Sequence, residues 1–283
     1  MGYLELLSSS AEERQSIVCF GLDPDLLQFP SLPSQGNEEK IISFFSQIID
    51  ASLSEGKSIS ALKPNYAYFA QYGFEGLRAL KFLIERYSGK LPIILDAKRG
   101  DIGKSSAAYA VEAFDFWGAD ALTVSPYMGY DSLSPFFERC KKGKGVYVLC
   151  RTSNSGASDF QSINMENGKP LFFEVARKLE KWHTNGVGAV LGATALDELE
   201  ATMWIFYDAK KMLPLLVPGV GAQGASAAQT AKVIRSVWPD AFSIHRINNS
   251  SVIAYAHKKK ETEDFVGAAL AEIKRMNGEI GKV

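Results

Sequence analysis

Residues 92–117 read PIILDAKRGDIGKSSAAYAVEAFDFW. An apolar run of strand length, Pro92 to Asp96, passes through a charged turn into a stretch of helical period from Ser105 to Trp117, which makes one βα unit. The same unit recurs in both directions. Strand-length runs fall at Ile17 to Leu22, Ile59 to Lys63, Ala121 to Val124, Gly145 to Cys150, Val187 to Leu191, Leu215 to Val217 and Ala241 to Ile247, making eight candidate strands with the first quoted. The periodicity predicts further helices at Glu38 to Leu53, Phe74 to Tyr87, Ser132 to Lys141, Leu171 to His183, Ala195 to Tyr207, Ser226 to Val237 and Asp264 to Met276. In the first of these, Ile41, Ile42, Phe45, Ile48, Ile49 and Leu53 recur at spacings of three and four, one apolar stripe. Continuous rather than alternating apolar strands suit a parallel sheet covered by helices. Strict alternation with no run of strands alone favours an α/β fold of the single (β/α)8 TIM barrel kind over an open doubly wound sheet.

Composition agrees with a large buried core. The 283 residues are 46% hydrophobic and 22% charged, which excludes disorder as the main state. Lys and Arg number 31 against 32 Asp and Glu, so no bulk positive field is available for nucleic acid or an anionic membrane. An anionic ligand would need a local site. No stretch approaches the roughly 18 apolar residues of a membrane span. No long Pro/Gly/Ser linker interrupts the series, so one domain over 1–283 is expected, with Gln28 to Asn37 and Thr152 to Gly168 as excursions and the second as a candidate lid. Lys258, Lys259 and Lys260 read as a solvated loop before the last helix. Cys19, Cys140 and Cys150 lack CxxC spacing and only His183, His245 and His257 offer imidazole, so no thiolate or histidine metal site is expected. Met1 to Leu6 carries neither a basic region before an apolar run nor a myristoylation signal. A reducing, cytoplasmic location is expected, and the sequons at Asn248 and Asn249 then carry no meaning.

In such a barrel the chemistry lies at the carboxyl ends of the strands. The first run ends in Leu22-Asp23-Pro24-Asp25, the second in Leu62-Lys63-Pro64-Asn65 and the third in Leu95-Asp96-Ala97-Lys98-Arg99-Gly100-Asp101. Strand alternation lets Asp96 and Lys98 project to one side while Ala97 points away. Singly, an Asp after a strand caps a turn and a Lys is solvated. Jointly, Asp23, Lys63, Asp96 and Lys98 would form an array of alternating charge, which stays ionised when desolvated only if mutually paired. Such an array places charge before a substrate arrives. After the seventh run, Gly219, Gly221 and Gly224 match the G-x-G-x-x-G dinucleotide spacing, with Asp240 downstream, but they follow six other units rather than an early turn of an open sheet. In a barrel the loops after strands seven and eight are the usual phosphate cradle, and a glycine turn without ligand remains the plain alternative.

These residues resemble those of the orotidine 5′-phosphate decarboxylase family, in its bacterial-type long subfamily. The resemblance runs through GLDPD at 21–25, ALKPNYAYF at 61–69, DAKRGDIGKSSAAYA at 96–110, TVSPYMGYDSL at 123–133, RTSNSGASDFQ at 151–161 and VPGVGAQG at 217–224. It implies a (β/α)8 barrel, a cofactor-free and metal-free conversion of orotidine 5′-monophosphate (OMP) to UMP and CO2, and a homodimer with active sites at the subunit interface. By the same resemblance Lys98 would donate the proton to C6, Asp96 would lie beside the substrate carboxylate, and Asp23 and Lys63 would bond the ribose hydroxyls. Asp101, with Ile102 and Ser105, resembles the part lent to the partner's site, Ser153 the serine that reads the pyrimidine, and Gln223 the glutamine on the phosphate.

One departure stands out. A phosphate arginine is expected after strand eight in a pattern like N-x-S-R-G-I, whereas this chain reads Ile247-Asn248-Asn249-Ser250-Ser251-Val252. Either Arg246 reaches in from an offset place, or hydroxyls and backbone amides replace the arginine. Chemically, loss of CO2 from C6 leaves a vinylic carbanion that no ring orbital delocalises, so the site must stabilise it electrostatically. Lys98 would do so and then yield its proton, while phosphate binding would drive closure of the 152–165 loop. Two other readings compete. Phosphosugar decarboxylases and hexulose-phosphate synthases resemble this chain in D-x-K-x-x-D but use Mg²⁺ held partly by a glutamate where Lys63 stands. A barrel that binds a phosphorylated ligand without turnover would leave Lys98 idle.

Overall fold

Eight parallel strands close a ring in a computed structural model that describes residues 1–33, 36–221 and 224–282. They are β1 (Val18–Leu22), β2 (Ala61–Pro64), β3 (Ile94–Arg99), β4 (Ala121–Val124), β5 (Gly145–Arg151), β6 (Val187–Leu191), β7 (Leu215–Val217) and β8 (Arg246–Asn249). The paired order is β2-β1-β8-β7-β6-β5-β4-β3. Isolated parallel bridges, Leu62 to Ile93 and Asn65 to Asp96, join β2 to β3 and complete the barrel.

The helices are α1 (Tyr3–Arg14), α2 (Asn37–Leu53), α3 (Tyr66–Ala70), α4 (Gly73–Tyr87), α5 (Gly103–Val111), α6 (Tyr130–Cys140), α7 (Leu171–Lys181), α8 (Leu196–Asp208), α9 (Ala227–Val237), α10 (Ser251–Ala254), α11 (Ala256–Lys260) and α12 (Phe265–Ile280). Strand parity sorts the apolar residues into two layers. Cys19, Ala61, Ile94, Ala121, Tyr147 and Leu216 cluster together, and Tyr3 and Leu7 of α1 pack on them. The Tyr3 ring meets Tyr147 edge-on at 6.0 Å, and the two hydroxyls lie 3.1 Å apart. Residues of the opposite parity, such as Phe20, Leu22, Leu62 and Leu95, pack with Ile41, Phe44, Phe45, Ile48 and Ile49 of α2. Full burial of each such side chain stabilises by about 1.5–3 kcal/mol, so the stripe fixes α2 on the barrel.

Several boundaries differ from the sequence reading. The run Ala241 to Ile247 is not one strand: Pro239–Ile244 forms a 3₁₀ turn with proline in its first turn, and β8 begins only at Arg246. Proline pre-sets the turn and has no N–H to give to a ladder. The third strand runs past Asp96 to Arg99 and takes Lys98 with it. The helix expected over Ser105 to Trp117 starts at Gly103, and after Val111 gives way to a wide turn in which the Trp117 N–H donates to the Glu112 carbonyl at 2.9 Å. Lys258 to Lys260 are exposed as expected but end α11 rather than lie in a loop. Helix α1 had no counterpart in the sequence reading, although Tyr3, Leu7 and Ala11 are spaced four apart and all buried.

Candidate active site

Inner-facing positions two residues above the apolar layer carry the charge. Lys63 on β2, Asp96 on β3 and Thr123 on β4 follow Ala61, Ile94 and Ala121 at the strand period of two. The Asp96 carboxylate is the hub. Its Oδ2 accepts from Lys63 Nζ at 2.8 Å, and its Oδ1 accepts from Lys98 Nζ at 2.7 Å and from the Thr123 hydroxyl at 2.8 Å. The Lys63 and Asp96 side chains are 6% and 8% exposed, whereas that of Lys98 is 50% exposed and stands at the rim.

The protonation states follow from this geometry. Burial alone would raise the Asp96 pKa, but the Lys63 and Lys98 ammonium groups outweigh it and hold the carboxyl well below the usual carboxylate range. Burial alone would lower the Lys63 pKa, and the Asp96 and Asp23 carboxylates outweigh that and push it up. The buried pair is therefore ionic across the neutral range.

Local backbone makes the arrangement possible. Lys98 has φ +45°, and the pairing register between β3 and β4 shifts between Leu95 and Arg99. The Lys98 N–H, turned out of the ladder, donates to Thr123 Oγ1 at 2.9 Å, so one hydroxyl orients both the backbone of Lys98 and the carboxylate that Lys98 meets. Ala97 packs with the outer core instead. Next along, Arg99 pairs with Glu112 through Nε at 3.0 Å and Nη2 at 2.7 Å and lies over the rings of Tyr66 and Tyr109 at 4.5 and 4.7 Å. That clamp ties the end of β3 to the helix after it.

The other expected residues are placed less tightly. Asp23 follows β1, and its Oδ1 is buried without a hydrogen-bond partner among the described residues. Asp101 has its carbonyl fixed by the Ser106 and Ser132 hydroxyls at 2.6 and 2.5 Å, while its carboxylate accepts, among the described residues, only the neighbouring Ile102 N–H at 2.7 Å. Asp101 does not meet Lys98 within this chain, and Ile102 and Ser105 are exposed. Ser153 lies in the loop after β5, against Gly192, where any side chain would come within 3.0 Å of its backbone. The base of that loop is tied by Gln161, which bonds the Thr152 N–H at 2.8 Å and its hydroxyl at 2.9 Å. Gln223 lies outside the described residues.

Arg246 is a correction. It opens β8 at the amino end of the barrel, fully buried, and donates to the carbonyls of Leu7, Ser60, Ser243 and His245 at 2.6–3.3 Å. All three nitrogens of its fork are bonded at this floor, so it does not reach the rim where a phosphate would sit.

Thr123 is the member of this hydrogen-bonded cluster that the sequence reading does not single out. The parity argument that selected Asp96 also selects it, two residues after Ala121 on the inner face. On the glycine loop, Gly219, Gly221 and Gly224 have φ of +101°, +85° and +86°. At Gly221 a Cβ would also lie 2.8 Å from Asn249 Nδ2, so glycine is required twice over. Among the described residues no three His, Cys, Asp or Glu side chains gather as a metal site, and no helix is long and apolar enough to cross a membrane.

Similarity to known proteins extends over nearly the whole chain. Residues 16–241 match the family model described as orotidine 5′-phosphate decarboxylase / HUMPS family. A protein of Janthinobacterium sp. (strain Marseille) named orotidine 5′-phosphate decarboxylase is 44% identical over 273 residues, covering 95% of this chain and 94% of its own. Its namesake in Cupriavidus metallidurans is 43% identical over 272 residues, with coverage of 95% and 94%. The solved structure of Leishmania donovani OMP decarboxylase superposes with TM-score 0.76 at 31% identity, covering 99% of each chain.

Proposed function

We propose, from the premise that the chain belongs to the orotidine 5′-phosphate decarboxylase / HUMPS family, that the Lys63–Asp96–Lys98 array is its reaction centre. The activity itself is the decarboxylation of OMP to UMP and CO2, a carboxy-lyase step of pyrimidine nucleotide synthesis. One observation carries the site assignment: a single buried carboxylate shared between two ammonium groups at adjacent strand ends, one sealed and one at the rim.

In this reading the phosphate and ribose hold OMP with C6 toward Lys98. The ammonium group, already oriented by Asp96, faces the negative charge that develops as CO2 leaves, and then protonates C6. Asp96, held ionised, repels the departing carboxylate. Lys63 and Asp23, whose Oδ1 has no partner among the described residues, bond the ribose hydroxyls, Ser153 reads the pyrimidine, and Gln223 meets the phosphate. Lys63 also supports a metal-free reaction, because its ammonium occupies the Asp96 lone pair that a divalent ion would use.

The working form is a homodimer in which Asp101, Ile102 and Ser105 complete the partner's site. The single bond made by the Asp101 carboxylate supports this, as do the exposed Ile102, Phe116, Tyr127 and Tyr130 on and around α5 and α6, at 63%, 58%, 84% and 51%. The chain acts as one domain over 1–283, and a cytoplasmic location fits three free, buried cysteines. The test is absorbance loss and CO2 release from OMP, with and without exhaustive EDTA treatment. Turnover unchanged by EDTA is expected. No turnover would overturn the reading, and loss restored by Mg²⁺ would favour phosphosugar chemistry.

A further inference from the structure

Between Leu95 and Arg99 the third strand leaves its ladder with the fourth. Leu95 pairs with Leu122 and Arg99 with Val124, so three residues of β3, Asp96, Ala97 and Lys98, stand opposite one residue of β4, Thr123. Pairing resumes beyond them, where the Arg99 carbonyl accepts the Ser125 N–H at 2.8 Å. Bulges of this kind re-aim side chains and leave backbone groups without ladder partners. Here a β4 side chain takes the place of the β4 backbone.

Thr123 is 1% exposed, and its hydroxyl spans the bulge, accepting the Lys98 N–H at 2.9 Å and donating to Asp96 Oδ1 at 2.8 Å. Neither bond can reverse. A backbone N–H only donates and an ionised carboxylate only accepts, so the one hydroxyl hydrogen is committed to Asp96. Among the described residues the hydroxyl makes no other hydrogen bond. Valine has the same outline, so packing alone does not call for an oxygen here.

Both bonds bear on Lys98. Its backbone has φ +45°, a conformation that an L-residue keeps only where its surroundings hold it. Its ammonium shares Asp96 Oδ1 with the Thr123 hydroxyl, while Lys63 holds Oδ2. With a donor at each end, the carboxylate cannot turn without losing one. Lys63 keeps it charged, and Thr123 sets where that charge holds the Lys98 ammonium.

We infer that Thr123 is a positioning residue for the decarboxylation, its hydroxyl fixing, through Asp96 and the Lys98 backbone, the point from which the ammonium meets C6. The inference rests on the functional reading above and deepens it at the reacting carbon. A displacement of about 1 Å in a reacting group costs about a hundredfold in rate, so a bond remote from the substrate matters if it sets that distance.

The test compares Thr123→Val, which keeps the shape and removes the hydroxyl, with Thr123→Ser, which keeps the hydroxyl, and with Thr123→Cys, a weak donor and acceptor of near-serine size. Turnover of OMP is measured beside the affinities for UMP and for 6-hydroxy-UMP, whose ionised ring places an anionic oxygen on C6. In Thr123→Val the loss should fall on kcat rather than KM, about a hundredfold, and the preference for 6-hydroxy-UMP over UMP should drop about tenfold with UMP affinity unchanged. Thr123→Ser should keep most of both, and Thr123→Cys should fall between. A threonine with a merely structural role would lower stability and leave kcat of the folded variant at the wild-type value. That result, a UMP affinity that falls in step with kcat, or a serine variant as slow as the valine one would overturn the inference. Should the valine variant not fold, a cysteine variant as active as serine would overturn it. Wild-type inactivity toward OMP would strike the functional reading instead, and the 6-hydroxy-UMP preference would still decide Thr123.

Discussion

Lys98 sits in the left-handed backbone region, which costs an L-residue about 1–2 kcal/mol, and Thr123 holds it there by accepting its N–H. The strain has a use: it turns the side chain back so that Nζ meets Asp96 at 2.7 Å. Lys63 does the complementary work from below. For Asp96 the folded pKa lies below the unfolded one, so its stabilising contribution is present above the unfolded carboxylate pKa of about 4 and lost as pH falls through the lower, folded value. For Lys63 the folded pKa is raised, so its contribution is present below the unfolded value of about 10.4 and lost only as pH rises through the higher one. Lys63→Met removes the nearest buried counter-charge. Chemical unfolding should show a loss of about 3 kcal/mol, and the acid limb of the kcat/KM profile should move to higher pH. An unmoved acid limb would mean that Asp96 is not held ionised by Lys63.

At the scale of elements, most of the barrel was legible because a strand buried on both faces reads as a short unbroken apolar run, and β1 through β7 overlap those runs, β3 extending past its run to Arg99. The eighth failed for a physical reason: an apolar run of seven residues does not distinguish a strand from a proline-started 3₁₀ turn leading into one. Strand rise explains Arg246. At about 3.3 Å per residue, Arg246 at the start of β8 and Asn249 at its end are about 10 Å apart, so the first residue of a strand serves the floor and only its end serves the site. Arg246→Met should therefore lower stability by about 3 kcal/mol or more by leaving four buried carbonyls without their donor, while KM for OMP in the folded enzyme stays at the wild-type value. A raised KM with unchanged stability would return Arg246 to the phosphate. Helix α1, whose Leu7 carbonyl is one of the four, was not legible because Ser8, Ser9 and Ser10 dilute its stripe of Tyr3, Leu7 and Ala11 and it precedes the first strand instead of following one.

For the whole molecule, the array was legible as composition at strand ends, but its completion was not. Asp96, Lys63 and Lys98 come together within one chain, whereas the Asp101 carboxylate stays apart from them, bonded among the described residues only to the Ile102 N–H. The half-exposed Lys98 side chain marks the same gap: an ammonium facing water is screened and loses much of its hold on a developing anion. A second subunit and the closed 152–165 loop would seal it. Mixing inactive Asp101→Ala and Lys98→Ala subunits should regenerate hybrid dimers with one intact site and about a quarter of wild-type activity, if chains assort at random and sites are shared. Hybrids shown to form yet inactive would place Asp101 outside the neighbouring site.

The claim on which the account turns is that the Lys98 ammonium performs the chemistry. It is tested by decarboxylation of OMP by Lys98→Ala, with UMP binding measured on the same preparation. The account predicts kcat/KM reduced by at least about a thousandfold with UMP affinity within a few-fold of wild type. Turnover near wild type in that variant would contradict it.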